Sequence, residues 1–264
     1  MGKEVARLAG SSGPRVRTLA RTAGDIRADA TDALAILGAC DGIDAVISCL
    51  GASVSPSAKE KRSFLAVDTV ANRNLIAEAK RAGVRKFVYV AAHVSPGYAD
   101  SAYIRAHEAV VAELAASGLD YTVIRPTGIF SAFGDFVKMA RMGMAMVVGD
   151  GSARTNPVHP ADVAQACLDG LTPGSREVGA GGPDILTRRE VVETAFRVVG
   201  KTPRIAAVPA AMFRGSARLA GLFNPRLGEL FEFVTAVSLT DGIAPAAGTK
   251  RLEDYFRELH RKTA

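Results

Sequence analysis

Between residues 45 and 125 the chain repeats a short run of β-branched and aromatic residues followed by an Ala-rich stretch of helical period. That alternation restricts it to a parallel α/β sheet more than any other feature does. Ala45-Val46-Ile47-Ser48-Cys49-Leu50 reads as a buried strand, with a helix expected over 64–82 and closed by Gly83. Lys86-Phe87-Val88-Tyr89-Val90-Ala91 gives the next strand, 103–117 the next helix, and 121–125 a third strand ended by Pro126. Upstream, residues 2–9 read as a helix stopped by the glycines and proline of 10–14, then 15–21 and 25–28 as strands and 31–37 as a helix. A helix over 161–171 follows Pro160, a natural first-turn position. Past Gly174 the alternation weakens into helices over 186–199, 211–222, 225–237 and 252–261, with a strand at 204–208. The expected architecture is α/β: a doubly wound parallel sheet over residues 1–172 and a small, mostly helical lobe over 173–264 that builds the substrate side.

Composition narrows the function. The formal charge is +6, but Lys and Arg are scattered and aromatics make up only 6% of the chain, so no nucleic-acid partner is expected and a small-molecule substrate is. No run approaches the ~18 apolar residues of a membrane span, and no leader segment is legible at the N-terminus. Cys40, Cys49 and Cys167 are odd in number and irregularly spaced, which suits reduced thiols in a cytoplasmic protein. The four histidines are dispersed and no carboxylates cluster, so no metal site is expected.

Three segments carry a resemblance. The first is Asp44-Ala45-Val46-Ile47-Ser48-Cys49-Leu50-Gly51-Ala52, a strand opening into a small-residue turn that continues to Ser53. The second runs from Gly83-Val84-Arg85-Lys86-Phe87-Val88-Tyr89-Val90 through Tyr103 to Ser117-Gly118-Leu119-Asp120-Tyr121-Thr122-Val123-Ile124-Arg125-Pro126. The third is Asn156-Pro157-Val158-His159-Pro160-Ala161-Asp162-Val163-Ala164. In this order the chain resembles the atypical and extended short-chain dehydrogenases (SDRs), NAD(P)-binding Rossmann proteins that include NmrA-like proteins and relatives of a complex I accessory subunit. The resemblance covers roughly residues 2–170 and departs from the family at its start. The first Rossmann strand and two of the three glycines of the GxxGxxG fingerprint are absent, leaving Gly2 ahead of a helix. A helix N-terminus still favours a phosphate. The resemblance therefore implies a Rossmann-like sheet lacking its first strand. The chain is expected to be an N-terminal truncation, with the 16–20 and 45–49 strands left apart.

Candidate site residues follow. Arg21 ends a strand where this fold chooses between cofactors; an arginine without an acidic neighbour suits a 2′-phosphate, so NADP(H) is expected ahead of NAD(H). Arg17, two pairs of residues earlier, would share its sheet face. Gly51 and Ala52 form the turn that the family places beside the cofactor, and they fit a plain tight turn equally well. Ala91, Ala92 and Pro126 end the next strands on the same cofactor side, and Ser95 is the remaining hydroxyl where the family carries a catalytic Ser or Thr. Tyr103 and His107, four apart, meet on one helix face. The resemblance makes Tyr103 the proton donor and puts His107 in the place of the family's lysine, where it can bond a ribose hydroxyl but not supply a fixed charge. Asp162 suits the first turn of its helix on dipole grounds alone. Two functions stay open. One is an NADPH-dependent oxidoreductase acting on a small carbonyl or enone. The other is a non-catalytic NADP(H)-binding regulator or assembly factor of the NmrA-like type.

Overall fold

The computed structural model describes residues 1–11, 13–52, 54 and 60–263; Ser12 and Ser53, each in an expected turn, lie outside them. The chain opens with helix α1 (Gly2–Ser11), followed by the two-residue strands β1 (Leu19–Ala20) and β2 (Ile26–Arg27), which pair in parallel with each other. The long strand expected over 15–21 shrinks because Asp25 takes the amide and hydroxyl of Thr18 at 2.8 Å each, pulling the chain into a tight return. The helix expected over 31–37 is only a 3₁₀ turn, Leu34–Ile36. Asp29 and Asp32 accept the amides of Thr31 and Leu34, and such local bonds compete with helix formation.

The central sheet then forms from β3 (Ala45–Ser48), β4 (Lys86–Val90), β5 (Asp120–Pro126) and, later in the chain, β8 (Arg176–Ala180), in that order and all parallel. Helix α2 (Val70–Arg81), preceded by a π-helical turn at Leu65–Thr69, and α3 (Ala102–Ser117) connect the first three strands. Every residue of β4 is buried, and its side chains alternate. Phe87 and Tyr89 pack with Leu75, Ile76, Val110 and Leu114 on the face covered by α2 and α3. Val88 and Val90 pack with Val5, Val163, Ala164 and Cys167 on the face covered by α1 and α5 (Pro160–Asp169). Helices on both faces make the sheet doubly wound. Strand β1 bonds only to β2, and β3 only to β4, so among the described residues β1 and β3 stay apart.

Between β5 and β8 lie α4 (Gly134–Met142), β6 (Ala145–Val148) and β7 (Arg154–Thr155), none of them legible in the sequence. After β8 come β9 (Leu186–Thr187), α6 (Arg188–Val199), β10 (Ile205–Val208), α7 (Ala210–Phe223), α8 (Pro225–Ser238) and α9 (Leu252–Thr263). The segment 173–264 therefore supplies a strand of the main sheet as well as the helical lobe. Phe130 in the 3₁₀ turn ahead of α4, with Val137, Val191, Phe196, Leu252 and Phe256 from α4, α6 and α9, forms the lobe's core. Helix α6 starts with a capping box, Thr187 and Glu190 each bonding the other's backbone amide. Helices α7 and α8 form a hairpin whose crossing is set by Gly221 and Gly228. A Cβ on Gly228 would stand 2.7 Å from the Cα of Gly221, so only glycine permits that approach. No helix among the described residues is long and apolar enough to cross a membrane.

Candidate cofactor and catalytic site

In an open parallel sheet, ligands bind beyond the carboxyl ends of the strands. The turns after β1, β2 and β3 meet there around a pocket of about 60 Å³, lined by Ala20, Arg21, Asp29, Ala30, Leu50 and Gly51. Arg21 and Gly51, widely separated in sequence, are thus brought together. Arg21 is held by Glu60 at 3.0 Å, and Glu60 also binds Arg62, which reaches Asp29 and Thr31. These arginines, Arg62 first, hold the Glu60 carboxyl down to about 2, so the rim keeps its charges at neutral pH. Arg17 does not join Arg21: its guanidinium donates to the carbonyls of Ala39 and Asp41 and ties down that turn. Gly2 opens α1 beside the end of β3, where an added Cβ would only touch Cys49 at 4.0 Å.

Asp68 is the residue that the sequence reading missed. It lies fully buried in the π-helical turn, and π-bulges concentrate at functional sites. Its Oδ1 accepts the amide of Ala52 at 2.5 Å, while its Oδ2, 3.5 Å from where a Gly51 Cβ would lie, has no hydrogen-bond partner among the described residues. Burial drives the carboxyl up to about 7, against the pull of the Ala52 amide and the Arg226 charge. One turn on, buried Asn72 accepts from Ser48 at 2.5 Å and donates to the carbonyls of Leu50 and Asp68. Together Asp68 and Asn72 shape the Leu50–Ala52 turn. The available signal was a carboxylate inside the apolar run Phe64-Leu65-Ala66-Val67-Asp68.

Further along the same carboxyl edge of the sheet, β4 continues into residues 91–93, where the amides of Ala91 and His93 bond the carbonyls of Ile124 and Pro126. Ala91, Ala92 and Pro126 are all buried, and the carbonyl of Ala92 accepts from Arg125, itself clamped by Glu108 and Glu177. Ser95 follows in the same loop, its carbonyl bonded to the Tyr98 amide. Tyr103 sits in the first turn of α3, which Ser101 caps. Its ring meets His107 edge-on at 4.7 Å and is held by Phe64 and by Phe233 of α8. His107 is buried, with Nδ1 2.5 Å from the Tyr89 hydroxyl and Nε2 without a hydrogen-bond partner among the described residues. Desolvation, aided by the Arg125 charge, pushes this imidazole down to about 4, so it is neutral at physiological pH. Burial, and secondarily the Asp68 carboxylate, raises the Tyr103 phenol above its ordinary value.

The third sequence motif is structural. Asn156 bonds the backbone of Gly182 and Ala244, His159 caps α5 by accepting the Ala161 amide, and Asp162 lies in that helix's first turn. Cys40, Cys49 and Cys167 are unpaired. No group of three His, Cys, Asp or Glu gathers among the described residues.

Comparison with known proteins bears on the family and the fold. A family model described as NAD(P)H-binding matches residues 5–173. The chain is 26% identical over 251 residues to the chloroplast divinyl chlorophyllide a 8-vinyl-reductase of Arabidopsis thaliana, covering 84% of this chain and 59% of that protein. It is 23% identical over 172 residues to the mitochondrial NADH dehydrogenase [ubiquinone] 1 alpha subcomplex subunit 9 of the same plant, covering 60% and 42%. The chain thus spans less than two thirds of the length of these curated relatives. The fold matches that of an NADPH-dependent quinone oxidoreductase from Escherichia coli, solved with NADPH, at a TM-score of 0.66 and 20% identity over 89% of this chain and 82% of that one.

Proposed function

The chain belongs to the NAD(P)H-binding family, and on that premise we propose that it is an NADPH-dependent reductase of a small carbonyl or enone. The observation that carries this reading is the edge-on pair Tyr103–His107 on the first turns of α3, with the buried Nε2 of His107 lacking a hydrogen-bond partner among the described residues. The residues that would hold the cofactor are the α1 N-terminus at Gly2, Arg21 at the ribose end, the Gly51–Ala52 turn, the Ala91–Ala92 and Pro126 strand ends, and His107. When bound, the reduced nicotinamide supplies hydride. Tyr103 Oη supplies the proton, and the burial that holds its phenol above the ordinary pKa makes it a weaker acid than a free tyrosine. If the Tyr89 hydroxyl donates to Nδ1, the imidazole proton sits on Nε2 as a donor for a ligand oxygen. A neutral His107 does not stabilise the Tyr103 phenolate left after transfer, so turnover is expected to be slow.

The test is NADPH consumption against a panel of quinones, enals and ketones. Tyr103→Phe is expected to lower turnover by ~10²–10⁴-fold while NADPH affinity stays within a few-fold. The second reading, a non-catalytic NADP(H)-binding regulator or assembly factor, draws on the neutral His107 and on the alanines where a hydroxyl would act. Absence of turnover with every substrate class, alongside intact NADPH binding, selects it. A cytoplasmic location is part of the first reading and is supported by the three unpaired cysteines.

A further inference from the structure

Helix α7 has two apolar faces and uses one. Phe213, Ala217, Ala220 and Gly221 turn toward α8, the helix it pairs with, and Ala217 is buried there. On the opposite side Met212, Leu219, Leu222 and Phe223 fall within one stripe at helical spacing. They are 67%, 62%, 79% and 84% exposed, and no other helix of the described residues carries as many exposed large apolar side chains. A helix apolar on both sides is normally buried on both sides. The charge around this stripe has one sign. No Asp or Glu occurs between Glu193 and Glu229, whereas Lys201, Arg204, Arg214 and Arg218 do, all exposed. Arg218 borders the stripe beside Leu222 and Arg214 lies one turn before it on α7, and neither they nor Arg204 form an ion pair among the described residues.

We propose that α7 docks this protein onto an anionic phospholipid surface, with Met212, Leu219, Leu222 and Phe223 entering the headgroup–acyl boundary and Arg204, Arg214 and Arg218 lying among the lipid phosphates. An apolar stripe beside unpaired arginines, on a helix lying flat against its neighbour, is the build of an interfacial helix. A second copy of the chain is a poorer occupant, because self-pairing would oppose two surfaces of the same positive sign. An acidic polypeptide would satisfy the arginines but gives no reason for four large apolar side chains to stand in water. The inference does not depend on the reductase reading, since neither Tyr103 nor the cofactor side takes part.

Flotation with vesicles tests it. The full chain should float with vesicles of equal phosphatidylglycerol and phosphatidylcholine and stay behind with phosphatidylcholine alone. Arg214→Glu with Arg218→Glu should weaken recovery at least ~10-fold, as should raised salt. Leu222→Ser with Phe223→Ser should weaken it as strongly through lost apolar contact. Both double variants should keep the wild-type melting temperature, because the side chains replaced are on the surface. Equal flotation with both vesicle types, no flotation, or variants that float like the wild type would each overturn the proposal. So would a dimer in sedimentation velocity that the serine variant abolishes, or binding to polyglutamate as tight as to the vesicles.

Discussion

The Asp68 carboxyl couples the stability of this protein to pH in the opposite sense to His107 and Glu60. Asp68 is raised in the folded state to about 7, with burial as the main cause, from an ordinary value near 4. The folded chain therefore holds a proton there that the unfolded chain has lost, and the contribution is full below about pH 4 and disappears as pH rises through 7. A displacement of this size corresponds to a few kcal/mol spread over that window. Between pH 8 and pH 6 the Asp68 contribution rises while a smaller one from the depressed His107 imidazole falls, so Asp68→Asn should lower or reverse any climb in melting temperature while keeping an acceptor for the Ala52 amide. A profile in Asp68→Asn as steep as the wild type's would remove Asp68 as its source. The sequence gives no direct view of this group. Its burial depends on the π-helical turn and on Arg226 and Glu229, more than 150 positions away in α8. Tyr103 and His107 were legible because spacing of four on a helix fixes their meeting without help from the rest of the fold. Tyr89 as the partner of His107 was not, because it arrives from a different element.

At the scale of elements, strong periodicity translated directly: α2, α3, β4 and β5 follow the apolar pattern to within a few residues. Strand β8 did not, because Arg-Glu-Val-Gly-Ala has little β-branched character and becomes a strand by pairing with β5. Strand β6 is a four-residue piece of a Met-rich apolar stretch, and the turn signals on either side of it, Gly143 and Gly149-Asp150-Gly151, passed unread. The α7–α8 hairpin offers a sharper test of packing than any of these. A methyl group on Gly228 would meet the backbone of α7 at 2.7 Å, whereas one on Gly221 would find the Gly228 Cα at an ordinary 3.6 Å. Gly228→Ala should therefore cost ~1–3 kcal/mol through overpacking, and Gly221→Ala should be neutral or slightly stabilising through better helix propensity. Thermal unfolding of the two variants checks the asymmetry, and equal losses would mean that the crossing is not set by Gly228.

For the whole molecule, a bound dinucleotide would bridge α1, the β1–β3 turns and α3, adding to the direct packing of Ala52 and Phe64 against Tyr103 and Ala106. Ligand binding to the native state alone raises stability by ~2.7 kcal/mol at 100 times its dissociation constant, worth several degrees. NADPH is expected to produce such a shift and NADH a smaller one. Arg21→Ala should cut the NADPH shift and leave the NADH shift unchanged, since a bond to a charged group is worth ~1.5–3 kcal/mol. Glu60 already occupies Arg21, so Glu60→Gln should enlarge the NADPH shift. Loss of both cofactor shifts together in Arg21→Ala would assign Arg21 a general role instead.

The late position of β8 carries a consequence for how the chain acquires its structure. Its partner β5 is complete by Pro126, but the ladder that closes the sheet pairs Thr122 with Arg176, 54 positions on, across α4, β6, β7 and α5. On a ribosome moving at ~5–20 residues per second, the open edge of β5 waits several seconds for its neighbour. Pairings so distant along the chain are slow to form, and a hydrophobic strand with a free ladder is a template for other chains in the interval. The last strand of the sheet, rather than any site residue, thus sets how long the nascent protein stays vulnerable to aggregation.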